Sequence, residues 1–268
     1  MEIEKTNFPG KIQDDEWDYY PLNGKKVCIA TDREVVSGRS VGTIPLKGYV
    51  LAALTAYFAK LDLPHPRVII TQNLPQLPIS CIMLGYLTNQ LNIWTQYQKG
   101  IRTVCDHTLP PGLKENQKLE NPILIPVMKD HTHSKQAIYA EGLVDEDIFE
   151  KIEETTAQLF QKATEHAEKQ GLVLVSATYQ FDVEGNIIPG FHCLKTAVYW
   201  ENNVVFQPHV IIDWLTDAGF TGNGPAPPIP NDIKKKASDE YLFLYKKLTG
   251  KALKVPKKEE ELDGFLKI

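Results

Sequence analysis

Residues 175–200 read VSATYQFDVEGNIIPGFHCLKTAVYW, the pattern of two strands folded back around a short turn. Thr178-Tyr179-Gln180-Phe181 alternates as a half-buried strand does, and Asp182-Val183-Glu184-Gly185-Asn186 is a cluster of turn formers. The exit is aromatic, Tyr199-Trp200, which suits the floor of a binding cleft. Yet the only carboxylates in the stretch, Asp182 and Glu184, sit in the turn itself. Any chemistry on this floor has to work with neutral side chains.

The remainder of the chain sets the frame. Its 268 residues suffice for one large domain or two lobes with a substantial core. With 43% hydrophobic and 24% charged residues, the composition is that of an ordinary soluble globular protein. A net charge of −5 argues against a general nucleic-acid binder. No apolar run approaches the roughly 20 residues that span a bilayer, and Met1-Glu2-Ile3-Glu4-Lys5 lacks the basic and apolar regions of a signal peptide. Cys28, Cys81, Cys105 and Cys193 show no CxxC spacing, which fits reduced thiols in a cytoplasmic protein and offers no zinc motif.

Local patterns give the elements. Lys25–Thr31 reads as a buried strand after an Asn23-Gly24 turn. Val50, Leu54, Tyr57, Phe58 and Leu61 recur at helical spacing, predicting a helix over Lys47–Lys60. Arg67–Ile70 is a strand among prolines 64, 66, 75 and 78, and the apolar run Pro78–Leu84 follows, so the join between two lobes is placed at 84/85. Residues 106–133 are long loops. Asp145 opens a helix with the stripe Ile148, Ile152, Leu159, Phe160, Ala163 and Ala167, closed by Gly171. Gly224–Pro230 is an extended linker, and a last helix spans Asp232–Thr249, closed by Gly250.

Taken in order, Gly10-Lys11, Ala30-Thr31-Asp32-Arg33, Pro45-Leu46-Lys47-Gly48, Gly85-Tyr86-Leu87-Thr88, Leu109-Pro110-Pro111-Gly112-Leu113, Pro122-Ile123, Pro126 with Lys129, Asp213-Trp214-Leu215 and Pro225-Ala226-Pro227 resemble the motifs of the SAICAR synthetase family. The resemblance covers about residues 9–250. It implies an α+β, two-lobed fold: an antiparallel β-rich lobe (1–84) and a larger α+β lobe (85–268), with a cleft between. It also implies a reaction in which ATP activates the carboxylate of an aminoimidazole ribonucleotide as an acyl phosphate, which the aspartate amine then displaces. Such chemistry needs magnesium and cationic groups around the phosphates.

The hairpin departs from that pattern. The family's first strand reads Asp-Thr-Lys-Phe-Glu-Phe-Gly, and here the matching residues are Ser176-Ala177-Thr178-Tyr179-Gln180-Phe181-Asp182. Thr178 replaces the lysine, and Gln180 replaces the metal-binding glutamate. The family's Asp-Glu falls on Pro189-Gly190, and its Asp-Ser-Ser-Arg falls on Lys195-Thr196-Ala197-Val198, with no gap in the alignment. Gln13, Leu84 and Val127 replace further polar positions of the pattern. Magnesium favours charged oxygens in near-octahedral geometry, and removing transition-state electrostatics costs on the order of 100- to 1,000-fold per group. The expectation is a site without metal or ATP, Mg-ATP being required only if ligase activity survives.

Strand parity places Ser176, Thr178 and Gln180 on one face, with Phe191, Cys193 and Lys195 on the same face of the returning strand. With Lys11, Asp32, Arg33, Lys47 and Lys129, which match family positions, Thr178, Gln180, Phe191, Cys193 and Lys195 complete the candidate ligand site. Asp130-His131-Thr132-His133 lacks a third spaced ligand and reads as a solvent loop. His192 and Cys193 point to opposite faces and cannot cooperate as base and nucleophile. Tyr86, Trp94 and Tyr97 read as packing.

Three functions follow from this. The first is a repurposed enzyme performing ATP-independent cyclisation, isomerisation or elimination on a small molecule with an anionic or polar end, in specialised biosynthesis. The second is the purine-pathway ligase itself, and the third is a non-catalytic binding homologue. Neither nucleic acid nor membrane is an expected partner, and a homo-oligomer is compatible with the composition.

Overall fold

Asn23 and Gly24, with φ of 48° and 76°, close a tight antiparallel hairpin of the left-handed turn type that these two residues favour. In the computed structural model of the chain, this hairpin is the centre of the first sheet. The structure describes residues 11–36, 38–128, 131–188, 196–201, 204–206, 209–222 and 224–255, with 204–206 and 209 described by backbone alone. The chain divides into two units, residues 1–73 with 207–268 and residues 74–206.

The first unit opens with β1 (Ile12–Gln13), β2 (Trp17–Leu22) and β3 (Lys25–Ala30), followed by the two-stranded β4 (Arg33–Val36) and β5 (Arg39–Thr43). Helix α1 (Lys47–Ala59) leads to β6 (Val68–Gln72), which completes an antiparallel sheet ordered β1–β2–β3–β6. Tyr20, Val27, Ile29 and Val68 share a buried cluster on it. The first residues of α1, Lys47 to Ala52, are all buried, so this helix is a core element without the usual polar face.

In the second unit, β7 (Gln76–Tyr86) is followed by α2 (Ile93–Gln98), β8 (Thr103–Val104), β9 (His107–Thr108), β10 (Lys118–Met128) and β11 (His131–Thr132). Next come α3 (Lys135–Ala140), α4 (Glu146–Lys169), β12 (Val173–Asp182), β13 (Ala197–Glu201) and β14 (Val204–Phe206). The six-stranded sheet is antiparallel throughout and ordered β11–β10–β7–β12–β13–β14. Pro78 stands where the β7–β12 register shifts, so its missing N–H interrupts no regular ladder. Helix α4 buries Phe149, Ile152, Thr156, Phe160, Ala163 and Ala167. Its stripe therefore runs through Phe149 and Thr156, whereas Ile148 and Leu159, expected in the stripe, are half-buried. Phe160 packs over Gly85 of β7, where a Cβ would come within 3.2 Å of its ring.

The chain then returns to the first unit with α5 (His209–Asp217) and α6 (Asn231–Thr249), the latter ending at Gly250 with φ 69°. Among the described residues no helix is long and apolar enough to cross a membrane. The architecture is α+β with antiparallel sheets, as the sequence led us to expect.

Two expectations need correction. The join placed at 84/85 falls inside β7; the units part at 73/74 and 206/207. Pro78 and the apolar run that follows it suggest the end of a lobe, but they belong to a single central strand. The helix near 232–249, expected beside the second sheet, belongs to the first unit. Ile188 N–H donates to Gln180 at 2.8 Å and Thr178 N–H to Thr196 at 2.6 Å. Residues 189–195, which include Phe191, Cys193 and Lys195 of the candidate site, lie outside the described residues.

Candidate functional site

On β12 the side chains alternate between the two faces of the second sheet. Ala177, Tyr179 and Cys81 lie on the α4 side of the sheet, with Met83 and Gly85. Ser176, Thr178 and Gln180 point to the opposite face, paired with Leu84, Ile82 and Ser80. Ser176 is buried, Thr178 half-buried and Gln180 exposed, so polarity and solvent access rise together along this face. Cys81, enclosed on the other side, has its thiol pushed up by burial and by the nearby Glu153 charge, and behaves as a small apolar residue.

The turn answers what its two carboxylates do. Asp182 Oδ1 accepts from Glu184 N–H and Asn186 N–H, both at 2.9 Å, and its Oδ2 accepts from Asn186 Nδ2 at 3.1 Å. Lys151 Nζ donates to the Glu184 carbonyl at 2.8 Å and to Asn186 Oδ1 at 2.9 Å. Gly185, with φ 75°, lies against Ile148 of α4. Asp182 is thus spent on closing the turn. Gln180 offers only a neutral amide, and among the described residues no three His, Cys, Asp or Glu side chains converge as a metal site. These donors do not fit magnesium, which favours charged oxygens.

The charged candidates of the first unit form one buried network. Lys47 Nζ donates to the Arg33 carbonyl at 2.6 Å and Glu34 Oε2 at 2.8 Å, and pairs with Glu16 Oε1 at 3.3 Å. An ammonium has three donors, so Lys47, fully enclosed, has none left. Burial opposes its charge, but the Glu16 and Glu34 carboxylates outweigh this and hold the ammonium above its usual pKa. The Tyr241 ring of α6 lies 5.9 Å away.

Arg33 Nη1 pairs with Asp18 Oδ1 at 2.8 Å, and Nη2 donates to the carbonyls of Asp14 and Trp17 at 3.0 and 3.1 Å. Lys11 takes the other Asp18 oxygen at 2.7 Å and keeps a 22% exposed side chain. Asp32 works at the start of α1, where Oδ1 accepts from Gly48 N–H at 2.8 Å and Oδ2 from Arg67 Nη2 at 2.8 Å. The Arg67 guanidinium stacks 4.1 Å above the Tyr49 ring.

The structure therefore brings Lys11, Arg33 and Lys47 together, but around carboxylates of the same unit. Asp32 adjoins them through the backbone and turns its side chain to α1. Thr178 and Gln180 share a face of the second sheet. Lys129, Phe191, Cys193 and Lys195 lie outside the described residues. Sequence reasoning missed Glu16, Asp18, Glu34 and Arg67. The signal was present: acids alternate with aromatics in Glu16-Trp17-Asp18-Tyr19, and buried cations require such partners. Trp94 and Tyr97 stack at 5.7 Å, and the Tyr97 hydroxyl bonds Pro110 and Leu113, which is a packing role.

The SAICAR synthetase family profile matches residues 18–188. Phosphoribosylaminoimidazole-succinocarboxamide synthase of Legionella pneumophila (strain Paris) is 32% identical, with 91% of this chain and 88% of the relative covered. The Cytophaga hutchinsonii enzyme of that name is 31% identical over 97% of this chain and 93% of its own. Among solved structures, SAICAR synthase from Saccharomyces cerevisiae complexed with SAICAR superposes with a TM-score of 0.78 at 23% identity, covering 90% of this chain and 94% of that one. This chain belongs to the SAICAR synthetase family.

Proposed function

We propose that this family member binds a small molecule with an anionic or polar end and acts on it without Mg-ATP. The observation that carries this reading is on β12: Thr178 and a solvent-exposed Gln180 stand where the family pattern has lysine and a metal carboxylate. Function resides in the site rather than the scaffold, and this site has kept its strand while losing its charge. Within the first unit Lys47 and Arg33 are committed to internal carboxylates, whereas Lys11, part-exposed, keeps ammonium donors beyond its pair with Asp18. The reaction class is a cyclisation, isomerisation or elimination, each of which proceeds without a phosphorylated intermediate.

Likeness along the whole chain favours a second reading, the ligation for which the Legionella and Cytophaga relatives are named. One experiment separates the two. The purified chain is incubated with Mg-ATP, the carboxylated aminoimidazole ribonucleotide and aspartate, with the Legionella enzyme in parallel, and ADP and the amide product are measured. We expect neither to rise above the protein-free rate, and titration calorimetry to detect no Mg-ATP binding. Equimolar ADP and amide, abolished by EDTA, would establish the ligase and overturn our reading.

A further inference from the structure

Helices α5 and α6 pack against each other within the first unit, and α6 also packs on α1. Glu240 of α6 lies near enough to the exposed Asp213 of α5 to feel its like charge. Glu240 is only half-buried as a residue, yet its Oε2 is sealed from solvent and has no hydrogen-bond partner among the described residues. Neither group forms an ion pair among the described residues. An ionised oxygen in that position would lack both water and a donor, which is costly.

The surrounding charges give little relief. On α6, Lys236 lies one turn before Glu240 and is exposed, while Lys235 is paired with Asp239 at 3.6 Å. On α5, Asp217 adds a further negative charge one turn beyond Asp213, and the side chain of His209 is outside those described. The charged residue within α1 is Lys47, whose donors are taken by Arg33, Glu34 and Glu16; Lys60 caps that helix. Glu34 of β4 accepts from the Tyr241 hydroxyl of α6 at 3.4 Å.

We propose that the α5–α6 contact is a proton-dependent latch: α5 packs firmly on α6 while Glu240 is protonated, and loosens when Glu240 and Asp213 are both charged. Burial, and then the Asp213 charge, raise the Glu240 carboxyl to about 7, against roughly 4.3 in an unfolded chain. A carboxyl raised by folding binds more protons in the folded state. Its stabilising contribution is complete below the unfolded value and falls as pH rises towards 7. The latch would therefore act within the physiological range.

The test is hydrogen exchange of the α5 backbone in the full chain at pH 6 and 8, corrected for intrinsic exchange, in wild type, Glu240→Gln and Asp213→Asn. We expect wild-type α5 to lose several-fold protection between the two pH values, Glu240→Gln to lose none and Asp213→Asn to lose less than wild type. Identical pH responses in wild type and Glu240→Gln would overturn the proposal. A carboxyl titration by carbon NMR of the wild-type chain tests it independently of any variant. A Glu240 midpoint near 7 supports the latch, and an ordinary glutamate midpoint refutes it.

Discussion

The residue that separates structure from ligand binding is Lys47. Its three donors face Glu16, Glu34 and the Arg33 carbonyl, with no exposed side-chain surface. Replacing it by Met would strand two buried carboxylates, and breaking a buried pair from one side costs roughly 3–5 kcal/mol. Lys11→Met should cost less than about 1 kcal/mol, because its partner Asp18 keeps Arg33 and the lysine is partly solvated. Urea denaturation of the two variants checks the contrast; equal losses would show that the network is not centred on Lys47. Since Lys47 is held above its usual pKa, its contribution is intact below about pH 10.4 and is lost as pH rises through the folded value. Lys47→Met should therefore flatten the alkaline limb of the stability profile.

Among the elements, α1 has the tightest seat. A Cβ on Gly48 would stand 2.6 Å from the Ala30 carbonyl oxygen and 3.0 Å from two carbonyl carbons, all backbone. Gly48→Ala must displace the helix from β3, costing about 1–3 kcal/mol or more, and would loosen the Asp32 cap on Gly48 N–H. Gly85→Ala meets the Phe160 ring at 3.2 Å, a side chain able to shift. Thermal melts should rank Gly48→Ala as the more destabilised. The helices were legible because periodicity marks them: the predicted 47–60 and 232–249 became Lys47–Ala59 and Asn231–Thr249. Asp145 precedes α4 as expected, although its side chain makes no capping hydrogen bond. What stayed illegible was pairing over distance. Nothing local says that Glu16 meets Lys47, or that Arg67 crosses to Asp32. The short apolar stretch of α5 fits a strand as well as a helix by pattern alone, and its packing against α6 decides for the helix.

For the molecule as a whole, the discontinuity of the first unit has experimental consequences. Ser238 of α6 donates to the Pro45 carbonyl at 2.7 Å, and Tyr241 reaches Glu34, so the last helix closes a core begun before residue 73. The second unit is one continuous segment with its own sheet and core cluster. Expressed alone, residues 74–206 should therefore fold cooperatively. A chain ending at 206 should show the second unit folded and the first unfolded, by two-dimensional NMR. A fully folded 1–206 fragment would show that α5 and α6 are dispensable.

The same interleaving imposes an order in time. At about 5–20 residues per second on the ribosome, residues 74–206 take roughly 7–27 s to emerge. Throughout that interval the first strands, with Lys47 and Arg33 among apolar neighbours, lack the helices that complete their core. The nascent chain is exposed to chaperone capture or misassociation longest at its beginning. A synonymous-codon variant that slows translation across 74–206 should lower soluble yield, and an unchanged yield would argue against this order in time.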